Sequence, residues 1–211
     1  MNGPDHVVYV VDDDARVREA IAELLASAGV NAVAFGSVKE YLSFDKLDVP
    51  SCLVLDVELP DVNGLEFQRQ VAATHTVPII FITGHGDIPS SVRAIKAGAV
   101  DFLAKPFSDA DLLAAIHAAL DLDRIAKPRQ AELAELQARH ARLTPREREV
   151  LPLVVSGLLN KQAAAQLGIS EVTLQIHRSK VMHKMGAKSV VDLVRIAARL
   201  GVPLPDPRAG R

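Results

Sequence analysis

The chain has 211 residues, enough for one large domain or two small ones, and its 6 Phe, 2 Tyr and absent Trp suit an aliphatic α/β core better than a sandwich. No apolar stretch approaches the ~20 residues that span a bilayer, and the acidic start lacks the basic region of a signal peptide, so neither a membrane span nor a signal peptide is expected and, with a single cysteine, a cytoplasmic protein is expected. The net charge of −2 conceals a division: residues 1–121 carry 8 Lys+Arg against 18 Asp+Glu, a balance of −10, and residues 122–211 carry 16 against 8, a balance of +8. An acidic half suits a cation, and a basic half suits a polyanion.

The first apolar run, Val7 to Val11, ends in Asp12, Asp13 and Asp14. Residues 15–28 set Val17, Ile21, Leu24, Leu25 and Ala28 at helical spacing, with Asp14 as cap and Gly29 as stop. Residues 33–35 read as a short strand and 38–44 as a short helix. The third run, Cys52 to Leu55, ends in Asp56. Cys52 has no disulfide partner and reads as a buried structural thiol. A loop with Pro60 and Gly64 leads into a helix over 65–73. Ile79 to Ile82 ends in Thr83, and a helix over 88–97 is closed by Gly98. Residues 100–104 end in Lys105-Pro106, and Asp109 caps a helix to Leu120. This (βα)5 alternation predicts a parallel sheet covered on both faces, with the flavodoxin-like strand order 2-1-3-4-5. Asp12, Asp13, Asp56, Thr83 and Lys105 then meet at the carboxyl edge, where such sheets bind ligands. That set suits a divalent cation and a phosphoryl group.

Residues 122–142 read as a polar helical linker interrupted by Pro128; Leu133, Leu136, His140 and Leu143 keep heptad spacing over too short a span for a coiled coil. Residues 143–200 read as a small all-α domain of four helices. Thr144-Pro145-Arg146-Glu147 opens the first, Gly168 makes the turn after the second, Ser170 caps the third over 171–185, and Ser189 caps the fourth. Residues 201–211 read as a disordered tail.

Asp12-Asp13, Leu55-Asp56 with Pro60 and Gly64, Thr83-Gly84 and Lys105-Pro106 together resemble the receiver domain of two-component response regulators over residues 5–121. The resemblance implies that Asp56 accepts a phosphoryl group as an acyl phosphate. It implies that Asp12, Asp13, Asp56 and the backbone carbonyl of Glu58 hold Mg²⁺ (or Mn²⁺), and that Thr83 and Lys105 contact phosphoryl oxygens. Phe102 stands where the family has its switch aromatic, which moves with Thr83. The family's cis Lys–Pro bond falls at Pro106, and Glu58 and His85 occupy positions that tune phosphate lifetime. Asp56-Val57-Glu58 also resembles the motif of haloacid-dehalogenase-type phosphatases, but no cap domain accompanies it.

The segments 143–151, 160–164, 169–177 and 184–186 resemble the LuxR/FixJ-type helix-turn-helix over residues 140–200, with helix 171–185 as the recognition helix. Leu174, Val181 and Met185 form its core stripe, with His177 nearby. Gln175 and Ile176 are the expected base readers; Gln175 stands where the family often has Lys. Lys161, Thr173, Arg178, Ser179, Lys180 and Lys184 are the expected remaining contacts to double-stranded DNA. His177 and His183 lie on different faces and do not form a metal pair. A sigma-factor-like helix-turn-helix is the alternative for this half.

The whole reads as a transcription regulator, not an enzyme beyond phosphotransfer and dephosphorylation at its own Asp56. Its expected partners are a sensor histidine kinase, promoter DNA, RNA polymerase, and a second copy docked through helix 88–97 and strand 100–104. A receiver that serves only as a constitutive interaction domain is the alternative.

Overall fold

Side-chain alternation along five strands decides the first half of the molecule. The computed structural model describes residues 4–71, 77–84 and 88–203. Strands β1 (Val7–Val11), β2 (Ala32–Phe35), β3 (Ser51–Asp56), β4 (Ile79–Thr83) and β5 (Asp101–Ala104) form one parallel sheet in the order β2-β1-β3-β4-β5. Helices α1 (Ala15–Ser27), α2 (Val38–Ser43), α3 (Gly64–Val71), α4 (Ile88–Lys96) and α5 (Asp109–Ala141) connect and follow them. Successive strand residues point to opposite faces. Val7, Tyr9, Val11, Leu53, Leu55 and Phe81 therefore pack with Val38, Tyr41, Phe67 and Ala94 from α2, α3 and α4. Val8, Val10, Cys52, Val54, Ile80 and Ile82 pack with Ile21, Leu25, Leu112 and Ile116 from α1 and α5. Both faces being covered is why the strands read as unbroken apolar runs. Burial pushes the Cys52 thiol up to about 12, with Asp123 adding to it, which makes Cys52 an inert core residue.

The linker expected over 122–142 is helical and mostly exposed, but Pro128 does not interrupt it: α5 continues through Pro128 to Ala141. Pro128 removes only one backbone donor from the helix. The chain divides into compact units at 127/128, inside α5. On the first side, Asp123 is 1% exposed and accepts a hydrogen bond from the Ser51 amide at 2.7 Å, while Lys127 donates to the Val49 carbonyl at 2.5 Å. On the second side, Leu136 and Leu143 enter the core of the helical unit rather than a coiled coil.

That unit contains α6 (Pro145–Val155), α7 (Asn160–Leu167), α8 (Glu171–Met185) and α9 (Val190–Arg199), plus α5 from Pro128 onward. Thr144 and Glu147 form a reciprocal capping box on α6. Gly168 adopts φ 64°, a left-handed conformation that lets α7 stop and α8 start at an angle. Leu174, Val181 and Met185 of α8 pack on Val150, Leu151, Ala163 and Leu193. Of the expected tail, residues 204–211 lie outside the described residues, as does His85. No described helix is long and apolar enough to cross a membrane.

Burial raises the Asp123 carboxyl above its ordinary 3.8, against the Ser51 and Lys127 contacts that lower it. A raised carboxyl favours the protonated folded state. Its contribution to stability is therefore greatest below 3.8 and declines as pH climbs through the folded value. Asp123→Ala should leave the Ser51 amide buried and unpaired, and lower receiver stability in urea titrations by about 1–3 kcal/mol. Asp123→Asn keeps an acceptor without the charge. It should retain stability to within about 1 kcal/mol at neutral pH and flatten that decline.

Candidate functional site

Parallel register sets the carboxyl edge of the sheet. Val11 pairs with Leu55, Asp56 with Ile82, and Thr83 with Ala104. Asp12 therefore emerges beside Asp56, and Lys105 one residue past the partner of Thr83. Asp12 and Thr83 are fully buried, Asp56 is nearly so, and Asp13 is exposed. Carboxylate oxygens of Asp12, Asp13 and Asp56 lie within 4.8 Å of one another. The Lys105 Nζ donates to Asp12 Oδ2 and Asp56 Oδ2, both at 2.6 Å. The Lys105–Pro106 bond is cis.

Backbone donors fix the remaining oxygens. The Asp14 amide donates to Asp12 Oδ1 and the Glu58 amide to Asp56 Oδ1, each at 2.9 Å. Asp14 itself caps α1, accepting from the Arg16 amide. Arg18 donates to the Asp12 carbonyl at 2.6 Å, a support that helical periodicity alone did not single out. Burial pushes the Asp12 carboxyl up, Lys105 opposes that, and the Asp56 charge adds to it. Burial also works against the Lys105 charge, but hydrogen bonds and charges from Asp12 and Asp56 outweigh it and raise its pKa. Three carboxylates against one ammonium leave an excess of negative charge that fits a divalent cation. Phe102 is half-buried and its ring centre lies 6.2 Å from that of Phe81. Gly64 is needed for space: a Cβ there would stand 2.6 Å from the Asp56 carbonyl oxygen.

In the helical unit, α8 sorts its residues as its periodicity predicts. Leu174, Val181 and Met185 are fully buried, and His177 is half-buried beside them with an unpartnered Nδ1. Gln175, Ser179 and Lys180 are exposed, Ile176 is 51% exposed, and Lys161 of α7 is exposed. Two expected phosphate contacts also carry contacts within the unit. Arg178 donates to Asn160 Oδ1 at 2.8 Å, tying α8 to α7. Lys184 pairs with Glu147 at 2.6 Å and donates to the Arg142 carbonyl at 3.2 Å. Lys184, still partly exposed, thereby neutralises the buried Glu147 carboxylate. The Thr173 hydroxyl meets that of Ser170 at 2.8 Å within the α8 cap. Sequence reading found Glu147 as a cap but not its pairing with a lysine 37 positions away.

Two predictions follow from these contacts. Gly64→Ala must displace backbone at Asp56, so it should cost roughly 1–3 kcal/mol in receiver unfolding and shift the Asp56 and Val57 amide resonances. The Lys184 hydrogen bond, foremost, and the Thr144 contacts hold the Glu147 carboxyl below its ordinary 4.5. That stability is present above 4.5 and is lost as pH falls through the folded value. Glu147→Gln should abolish this acid sensitivity in the helical unit, and Glu147→Ala should cost about 1–3 kcal/mol at neutral pH, read by amide exchange of α6 and α8.

Known proteins resemble both units of the chain. Residues 8–117 match the response regulator receiver domain, and residues 141–197 match the bacterial regulatory proteins of the luxR family. The chain is 50% identical to nodulation protein W of Bradyrhizobium diazoefficiens over 197 residues, covering 93% of this chain and 87% of that protein. It is 41% identical to the transcriptional regulatory protein FixJ of the same species, over 92% of this chain and 96% of that one. Among solved structures, the response regulator StyR superposes with a TM-score of 0.74 at 42% identity, covering 92% of this chain and 99% of that one. Full-length FixJ from B. japonicum gives 0.53 at 39% identity, covering 95% and 100%. These matches cover both units of the chain, and the chain belongs to the two-component response regulators that join a receiver domain to a LuxR-type DNA-binding domain.

Proposed function

We propose that this protein is cytoplasmic, that Asp56 is the phosphoacceptor for a sensor histidine kinase, and that its phosphorylation controls dimerisation and promoter binding. The observation that carries this is Lys105 bridging Asp12 and Asp56 at 2.6 Å each. An Asp56 carboxylate oxygen attacks the phosphorus of the kinase phosphohistidine. The new O–P bond forms as the N–P bond breaks, and the imidazole leaves with the bonding pair and takes a proton. A Mg²⁺ (or Mn²⁺) held by Asp12, Asp13, Asp56 and the Glu58 carbonyl would neutralise charge on the phosphoryl oxygens. Lys105 would turn from Asp56 to one of those oxygens, and Thr83 would donate to another. Hydrolysis of the acyl phosphate resets the protein, and no external metabolite is turned over for its own sake.

Movement of Thr83 frees space for Phe102, and the face of α4 and β5 rearranges. Val92 and Ile95 of α4 are 44% and 47% exposed, which suits pairing of two copies there. Paired receivers bring two helix-turn-helix units to two half-sites. Lys161, Gln175, Ile176, Ser179 and Lys180 make the contacts, with Thr173 and Arg178 at the margin and Lys184 also tied to Glu147.

Incubation with acetyl phosphate and Mg²⁺ should add one phosphoryl mass to Asp56 and increase dimer formation and DNA affinity. Asp56→Asn or removal of Mg²⁺ should abolish the gain. Equal DNA binding by phosphorylated protein and Asp56→Asn would sink the phosphorylation-gated reading in favour of a constitutive receiver. Lys161→Ala and Lys180→Ala should each weaken binding and reduce its salt dependence, by about one phosphate contact apiece.

A further inference from the structure

Between α3, α4 and β5 the receiver has a cavity of about 690 Å³, open to solvent, that the phosphoacceptor chemistry does not fill. Its floor is apolar, made by Val57, Leu65 and Phe102. Its mouth is cationic, with Arg69 from α3 and Arg93 and Lys96 from α4. These are three of only eight Lys and Arg residues in an acidic stretch of 121. Arg69 and Lys96 are exposed and have no ion-pair partner among the described residues. Arg93 is also exposed and donates Nε to the Pro89 carbonyl at 3.3 Å. Glu58 is the one acid among the described lining residues. Gln68, 5% exposed, adds an amide whose Nε2 makes only a long 3.4 Å bond to the Ala94 carbonyl.

This volume lies within the roughly 300–1,000 Å³ of small-molecule sites, which are apolar with a few charged groups that orient the ligand. A bare inorganic anion would leave the apolar floor uncovered, and an uncharged hydrocarbon would leave the cations unused. We propose that the cavity binds a small amphipathic carboxylate, its aromatic or branched aliphatic body against Val57, Leu65 and Phe102 and its carboxylate toward Arg69, Arg93 and Lys96. Val57 and Glu58 directly follow Asp56 in the chain, and Phe102 is the relay aromatic of the reading above. The occupant therefore couples to phosphorylation, and the coupling is reciprocal. Only this coupling rests on the phosphorylation reading; binding itself does not.

Naphthalene-2-carboxylate is the probe. Titrated into the full-length protein, it should bind saturably and shift amide resonances of residues 57, 65, 93–97 and 102. The uncharged analogue naphthalene-2-methanol should bind roughly fivefold or more weakly, as should the Arg93→Ala/Lys96→Ala double variant toward the carboxylate. Ala97→Phe, which narrows the cavity from its wall, should abolish binding; if that variant does not fold, the double variant decides. No saturation by about 10 mM, shifts elsewhere on the receiver, or equal binding of the alcohol would overturn the site. The rate of Asp56 labelling by acetyl phosphate should change with probe in the wild type but not in the double variant. Unchanged labelling despite saturable binding would overturn the coupling alone. Absent labelling without probe would overturn the phosphorylation reading and leave the binding result standing.

Discussion

One lysine between two buried carboxylates organises the receiver. Asp12 and Asp56 leave neighbouring strands at the same level because β1 and β3 run parallel in a register that pairs Val11 with Leu55. Neither charge could be held in so apolar a setting alone, since a buried carboxylate without a partner shifts toward its neutral form. Lys105, delivered from the end of β5, supplies the compensation at 2.6 Å to each. Amides of Asp14 and Glu58 complete the coordination of the other oxygens. The site is thereby built from four strand ends that the chain places far apart, and any displacement of β5 must be felt at both aspartates.

The helical unit solves a similar problem with different parts. Glu147 is buried because it is the third residue of a capping box, and its charge needs a cation. Lys184 provides it from the last turn of α8, so the cap of α6 also fixes the recognition helix. The Arg139 side chain donates to the Met185 carbonyl at the end of the same helix, and its guanidinium occupies the space that a side chain at Gly186 would take. Arg199 pairs with Glu132, a second tie between the latter half of α5 and the helices of the unit. A lysine that sequence alone offers to DNA is in this way also tied to a buried acid, while Lys161 and Lys180 are exposed.

Continuity of α5 changes how the two halves are divided. A proline in a polar stretch signals a break when read locally. Helix persists here because residues on both sides of Pro128 find tertiary partners: Asp123 and Lys127 on β3 and the loop before it, Leu136 and Arg139 on α8 and its neighbours. The missing amide of one proline is a smaller loss than those contacts return.

Strand runs, helix caps and the identity of the edge residues were legible because they depend on short periods and on single residues. Val7 to Val11 alternates between two buried faces, so its pattern is local even though its partners are not. The order of those residues also sufficed to place Asp12, Asp56, Thr83 and Lys105 at one edge once the sheet was taken as parallel. What the sequence could not supply were pairings between distant side chains: Lys184 with Glu147, Asp123 with Ser51, Arg18 with the Asp12 carbonyl, and the cationic mouth formed by Arg69, Arg93 and Lys96. Each joins positions separated by turns or strands, and a charged residue carries no mark of its partner until packing sets the distance. Local pattern determined the elements and their chemistry, and only the tertiary structure decided which charges are spent inside the molecule and which remain for a ligand.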